Sequence, residues 1–332
     1  MSTQKGYEVP LAISSAQESF RLVELPPDLV ELLAANPAIC LQFKSSVSGQ
    51  AALCLPAKTF QLRQVQTSND VHIVKPSMQA SHDISDLITQ SIVSISQCTS
   101  VLELDGESKE SALAHLKQTL PTYQEDQDLG LAGQSKSKRR IFADVPLSEG
   151  ECEVAWSQIC AFETGEDRRS FRPSPRSIVK AWSSIISTAI LDGIDLAVPI
   201  SRDRLTLLIE SIDEAPQELL QAIISNVSTS SPEKVELKRD SLLALTGVAL
   251  LEDVQEVGRD EFLRQWHNLV PERWRASATL EALPPMWHMT STGIIRPIMS
   301  SDTSENDGTQ TGATASGKRK WHERFKQARK QK

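Results

Sequence analysis

The spacing of apolar residues changes once along this chain, and that change limits what the chain can fold into. Between about residues 20 and 105 apolar and polar positions alternate, whereas from about 148 onward apolar residues recur with helical spacing. Alternation lines one face of a β-strand, and the second spacing lines one stripe of a helix. The chain therefore reads as an α+β multidomain protein, with its strands first and its helices after. Its 332 residues suffice for two or three domains without a disulfide or metal staple.

In the first region Pro26, Pro27 and Asp28 open a helix through Leu29, Leu32 and Leu33 that stops near Asn36-Pro37. Alternation then appears at Ile39, Leu41 and Phe43, at Phe60 and Leu62, and at Val71 and Ile73. Turn residues at Ser48-Gly49 and Ser68-Asn69-Asp70 lie between. Five or six short strands in this span predict a small antiparallel β-barrel or sandwich over residues 20–120, the barrel being preferred, closed by a helix at 107–120 with Leu113, Leu116 and Leu120 on one face. Such a small barrel leaves edges that invite pairing with another chain. Residues 1–19 lack the charged-then-apolar order of a signal peptide and read as disordered.

Residues 121–145 read as a flexible basic linker. An acidic cluster there runs into Lys136, Lys138, Arg139 and Arg140, a run that suits nuclear import or phosphate contact, or simply a solvated loop. From 148 the helical signals are explicit. Ser148 and Glu151 form a capping box. Ser174-Pro175 opens a helix with the stripe Ile178, Trp182, Ile185 and Ile190, ended by Gly193. Ser201 caps another. Helices follow around Gln217–Val227, Ser241–Val254 and Asp260–Leu269, with a strand at Val235–Leu237 and a hairpin turning at Thr290–Gly293. Helix, strand, helix, helix and hairpin is the rhythm of winged-helix modules. It predicts one module over 146–212 and one or two more over 213–299. Residues 300–317 contain no large apolar residue and read as a disordered linker.

The net charge of −8 hides a split. Residues 318–332 carry eight Lys/Arg and one Glu, +7, which leaves −15 on residues 1–317. In this basic tail Trp321, Phe325 and Ala328 share one helical face. Lys318, Arg319, Lys320, Arg324, Lys326, Arg329 and Lys330 are candidate DNA contacts, with a docked C-terminal helix or an import signal as the other readings.

Little points to chemistry. Five cysteines include no C-x-x-C pair and read as buried reduced thiols, with no metal and no disulfide. Gly312 to Lys318 imitates a phosphate loop, but Arg319 stands where magnesium needs Ser or Thr, and no strand precedes it. Asp192, Asp195 and the Asp253/Glu256 pair read as solvated helix ends, His72 as a residue on the outer face of a strand, and His267 as packed beside Trp266. The longest apolar stretch, Leu242–Leu251, is too short to span a membrane. The expectation is a protein that is not an enzyme, has no cofactor and does not enter a membrane.

One resemblance is specific. Phe20 to Pro26 (FRLVELP), Leu53-Cys54, Lys58 to Val65 (KTFQLRQV) and Thr67-Ser68-Asn69 together resemble the Dcc family, named for defective sister chromatid cohesion. Arg172-Pro173-Ser174, Trp182, Asp192 to Leu196, Glu261 to Trp266 and Val270-Pro271 fit as well. The likeness covers most of 20–275 and is strongest at K-T-F-x-L-R. It implies an accessory subunit of the alternative, cohesion-linked replication factor C clamp loader, and the two basic runs favour the nucleus. In that family the N-terminal barrel joins a second small subunit and the tail of the large clamp-loader ATPase subunit. The winged modules contact the DNA polymerase epsilon catalytic subunit and, weakly and without sequence preference, DNA. On this reading Lys58, Thr59, Phe60, Leu62 and Arg63 serve subunit assembly. The alternative is a winged-helix chromatin or transcription regulator that reads DNA sequence through base-edge contacts.

Overall fold

The computed structural model describes residues 9, 11–45, 49, 51–79, 89–124 and 135–298. The N-terminal region is one curled six-stranded sheet, a half-barrel. Its strands are β1 (Leu11–Ile13), β2 (Leu22–Glu24), β3 (Gln42–Ser45), β4 (Ala51–Cys54), β5 (Thr59–Gln79) and β6 (Thr89–Glu107), with helix α1 (Pro27–Ala35) between β2 and β3. The order is β1-β6-β5-β4-β3, and β2 also pairs with β6.

Four expectations are corrected here. Two long strands dominate the sheet in place of many short ones. Ser68-Asn69-Asp70 is no turn, because the strand continues past it: β5 resumes pairing at Val71↔Cys98 after Gln66↔Ser100, and residues 67–70 bulge opposite Thr99. The barrel is neither closed nor wholly antiparallel, since β1 and β2 run parallel to β6 and β3 has no second neighbour among the described residues. Leu11–Ile13, read as disordered, pairs with Ile92–Ser94.

The rest of the described chain repeats one order three times: helix, strand, helix, helix, strand, strand. The first unit is α2 (Ala112–Thr119), β7 (Thr122–Tyr123), α3 (Lys138–Asp144), α4 (Glu149–Gln158), β8 (Phe162–Thr164) and β9 (Arg169–Pro173). The second is α5 (Pro175–Leu191), β10 (Ile200–Ser201), α6 (Arg202–Glu210), α7 (Gln217–Val227), β11 (Ser228–Ser230) and β12 (Lys234–Leu237). The third is α8 (Arg239–Val254), β13 (Val257–Gly258), α9 (Arg259–Asn268), a 3-10 helix (Glu272–Ser277), β14 (Trp287–Met289) and β15 (Ile294–Pro297). In each unit the last strand lies between the other two. The first helices begin at residues 112, 175 and 239, a regular interval that composition does not reveal.

This grouping moves the boundaries drawn from sequence. The helix assigned to the barrel, α2, packs through Leu116 and Leu120 against Ile141, Phe142, Leu147 and Trp156, so it opens the first unit. Residues 138–144, read as linker, form α3, because Ile141 and Phe142 are buried despite the basic run before them. A break at 212/213 would separate α6 from α7, which share the sheet β10-β12-β11.

Several local signals are realised atom by atom. Both halves of the capping box are present. Gly193 has φ +61°, and its N–H and that of Ile194 return to the carbonyls of Ile190 and Ala189. Two details differ. Ile190 is 68% exposed, and Ala189 takes the buried place one residue earlier. Ser201 makes no side-chain capping bond.

The second and third units share one buried cluster, joined by Tyr123, Cys160, Phe162 and Phe171 of the first, that runs from Tyr123 to Ile295. Trp182, fully buried in α5, donates its Nε1–H to the Leu269 carbonyl at 2.7 Å and ties the two units together. Asn226 ties the second unit to the first by donating to the Ser157 carbonyl at 2.6 Å. Within the third, Trp266 donates to Thr246 Oγ1 at 3.0 Å and lies over Gly247. A Cβ at Gly247 would stand 2.4 Å from Leu283 Cδ2 and 2.7 Å from the Trp266 ring. Gly247→Ala should therefore lower stability by about 1–3 kcal/mol, although alanine is the better helix former. Chemical denaturation of the two proteins checks this, and a more stable variant would contradict it.

Candidate assembly surface

The N-terminal sheet is held firmly at one end only. There the turn between β4 and β5, closed by the Leu55 N–H to the Lys58 carbonyl at 2.8 Å, sits on the N-terminus of α4. The first N–H groups of a helix lack intrahelical acceptors, and one of them, on Gly150, finds the Pro56 carbonyl at 2.8 Å. A Cβ at Gly150 would stand 2.8 Å from that oxygen and 3.0 Å from Ala57 Cα, so glycine permits the approach.

Thr59 completes the joint. Its hydroxyl donates to Glu151 Oε2 at 2.5 Å and accepts from the Ser148 N–H at 2.7 Å. The same carboxylate oxygen accepts from the Ser148 hydroxyl at 2.6 Å and the Ser148 N–H at 3.1 Å. Thr59 is 1% exposed and Ser148 fully buried. Beside them Lys44 of β3 donates to the Phe142 and Leu147 carbonyls at 2.8 and 2.7 Å, satisfying chain that leaves α3. Cys54 and Cys152 are buried in this region. Burial raises the Cys54 thiol pKa and pushes that of Cys152 up to about 11, so both stay protonated near neutrality. Cys160, in the cluster that runs from Tyr123 to Ile295, is pushed to about 12 for the same reason. Cys40 corrects the expectation of uniformly buried thiols, because it is exposed.

Away from this joint the sheet is open. β4 pairs with β5 only from Thr59 to Leu62; from Arg63 to Gln79 no described strand lies on that side of β5. Among the described residues, none N-terminal to Ala112 belongs to either buried apolar cluster. Leu53, Leu55 and Ile95 are buried within the sheet region, but other apolar side chains face solvent: Leu11, Ile13, Phe20, Phe43, Val71 and Val74 are all exposed, Ile13 at 72% and Phe43 at 62%. A long strand edge beside exposed apolar residues is a template for pairing with another chain.

The residues singled out from sequence divide accordingly. Thr59 faces the protein's own α4 and is unavailable to a partner. Phe60 and Leu62 are half-buried. Lys58 and Arg63 form exposed ion pairs across to β6, with Glu107 at 2.6 Å and Glu103 at 2.9 Å, which solvent screens. In the basic run Lys136 pairs with Asp144. Lys138 is engaged three ways: its N–H donates to Glu163, its ammonium pairs with Glu153 at 2.8 Å, and it lies 5.1 Å from the Trp156 ring centre. Arg139 and Arg140 are exposed on the first turn of α3. The tail candidates Lys318, Arg319, Lys320, Arg324, Lys326, Arg329 and Lys330, like the 300–317 linker, lie outside the described residues. His72 meets Ser94 Oγ at 2.9 Å, and His267 meets the Ala278 carbonyl at 3.2 Å.

Sequence reasoning missed Lys44, Gly150 and the double use of Glu151. The capping box was legible, but nothing in S-x-x-E announces a second acceptor role for its carboxylate.

A family model described as sister chromatid cohesion protein Dcc1 matches residues 20–303. The chain belongs to that family. Membership gives it a role in sister chromatid cohesion, and the match reaches beyond residue 275, where the resemblance read from sequence stopped.

The joint makes a sharp demand on position 59. Thr59→Val keeps the shape but removes the donor to Glu151 and the acceptor for Ser148, and should cost about 1–3 kcal/mol. Thr59→Ser keeps both and should cost less. Equal stabilities for the two variants in denaturant titrations would show that the hydroxyl does not hold the joint.

Proposed function

We propose that the chain is a non-enzymatic accessory subunit of the alternative, cohesion-linked replication factor C clamp loader. It would work in the nucleus, where it joins the large ATPase subunit and a second small subunit. The observation that carries this reading is a sheet with open edges, exposed apolar residues and no share in either buried cluster. Such a sheet gains most from strands supplied by another chain, which add backbone hydrogen bonds and cover apolar surface together.

The three repeated units are read as winged-helix modules, on the strength of their element order and of the central place of the last strand. They would offer surfaces to the DNA polymerase epsilon catalytic subunit and, weakly and without sequence preference, to DNA. The basic tail would add phosphate contacts or an import signal, and exposed Arg139 and Arg140 are further import candidates. The division of labour is assembly by the sheet and fork contact by the helical units, with no reaction at either.

Co-expression with the two clamp-loader subunits tests this. The full chain should elute with both as an equimolar complex. The triple variant Phe43→Asp, Val71→Asp and Val74→Asp should lose them while keeping its circular dichroism spectrum. A complex that survives these substitutions, or none with the unaltered chain, would remove the sheet from the account.

A further inference from the structure

A groove opens where the three helical units meet, and the assembly reading does not use it. Its volume is about 500 Å³. The apolar lining comes from all three units: Ile159 follows α4, Ile178 belongs to α5, Leu245 and Val248 belong to α8, and Pro173 and Pro284 complete it. Ile159, Ile178, Leu245 and Val248 are only partly buried, so each has a side left for another molecule.

The charges at the groove run against those of the molecule. Residues 1–317 carry −15, yet the groove is lined by Lys117 and Arg172 against the single acid Glu252. Among the described residues neither Lys117 nor Arg172 forms an ion pair, and the buried Arg172 Nε–H has no acceptor. An enclosed cationic donor without an acceptor is costly, and a carboxylate brought to its guanidinium relieves part of that cost.

We propose that this groove docks an acidic peptide segment of a partner protein, with one or two apolar side chains seated against α8 and a flanking carboxylate on Arg172 and Lys117. Charge complementarity selects that occupant. An acidic segment is repelled by most of this body and accepted here, which favours one site over the rest of the surface. The chain's own tail, at +7, has the wrong sign. The volume suits a few side chains and not a folded domain. The inference stands on the groove alone and is independent of the clamp-loader reading.

The test is phage display of random 12-residue peptides on the purified full chain, followed by fluorescence anisotropy of the enriched sequences. Enrichment should favour Asp or Glu beside Leu, Ile, Val or Phe. Binding should weaken about tenfold in Arg172→Gln with Lys117→Gln, and should weaken further as salt rises. Val248→Glu should abolish it. Should that variant unfold by circular dichroism, the paired Arg172→Gln and Lys117→Gln changes still decide the matter. Enriched peptides without acids, or binding indifferent to Arg172 and Lys117, would overturn the proposal. So would a self-association in light scattering that these same substitutions dissolve, since it would give the groove to a second copy of the chain.

Discussion

The carboxylate of Glu151 is where the two halves of this molecule meet. One of its oxygens accepts the Ser148 hydroxyl and N–H, which closes the capping box of α4, and also the Thr59 hydroxyl, which belongs to the sheet. Helix start and sheet attachment are thus a single arrangement, and loss of either partner leaves a buried polar group unpaired. Gly150 lets the turn at Pro56 approach the same helix end, and Lys44 seals the neighbouring carbonyls. The sheet therefore has one rigid end, fixed to the first helical unit, and one open end.

That asymmetry organises the rest. The helical units carry the apolar core, continuous from Tyr123 to Ile295, with Trp182 and Asn226 as hydrogen-bonded ties between units. The sheet, in contrast, depends on its joint to α4 at one end and exposes the β5 edge and side chains such as Phe43 and Val74 elsewhere. On the proposed function, a partner that completed the sheet would be held in a defined relation to the helical stack.

How far the sequence could be read depended on whether its signals were local. The capping box at Ser148, the Pro175 start and the Gly193 stop are written within a few residues, and all are present. Strand length was not legible, because Ser68-Asn69-Asp70 looks the same in a bulge as in a turn, and only the continuing partner strand β6 decides between them. The basic run before Ile141 suggested a linker, since charge is visible in a sequence and the cluster awaiting Ile141 and Phe142 is not. The K-T-F-x-L-R segment carried the family likeness correctly. The role assigned to Thr59 within it did not hold, because a buried hydroxyl between two domains and a contact for a partner look alike in one dimension.

The central claim is that the sheet is fixed at Thr59 and incomplete beyond Arg63. Hydrogen exchange, followed residue by residue in the free chain and in the assembled complex, tests it most directly. In the free chain, amides of β5 facing the unpaired edge between Arg63 and Gln79 should exchange quickly, while those of Thr59 to Leu62 and of α4 are protected. On assembly the quick set should slow and the others should not change. Equal protection along all of β5 in the free chain, or no slowing on assembly, would contradict it.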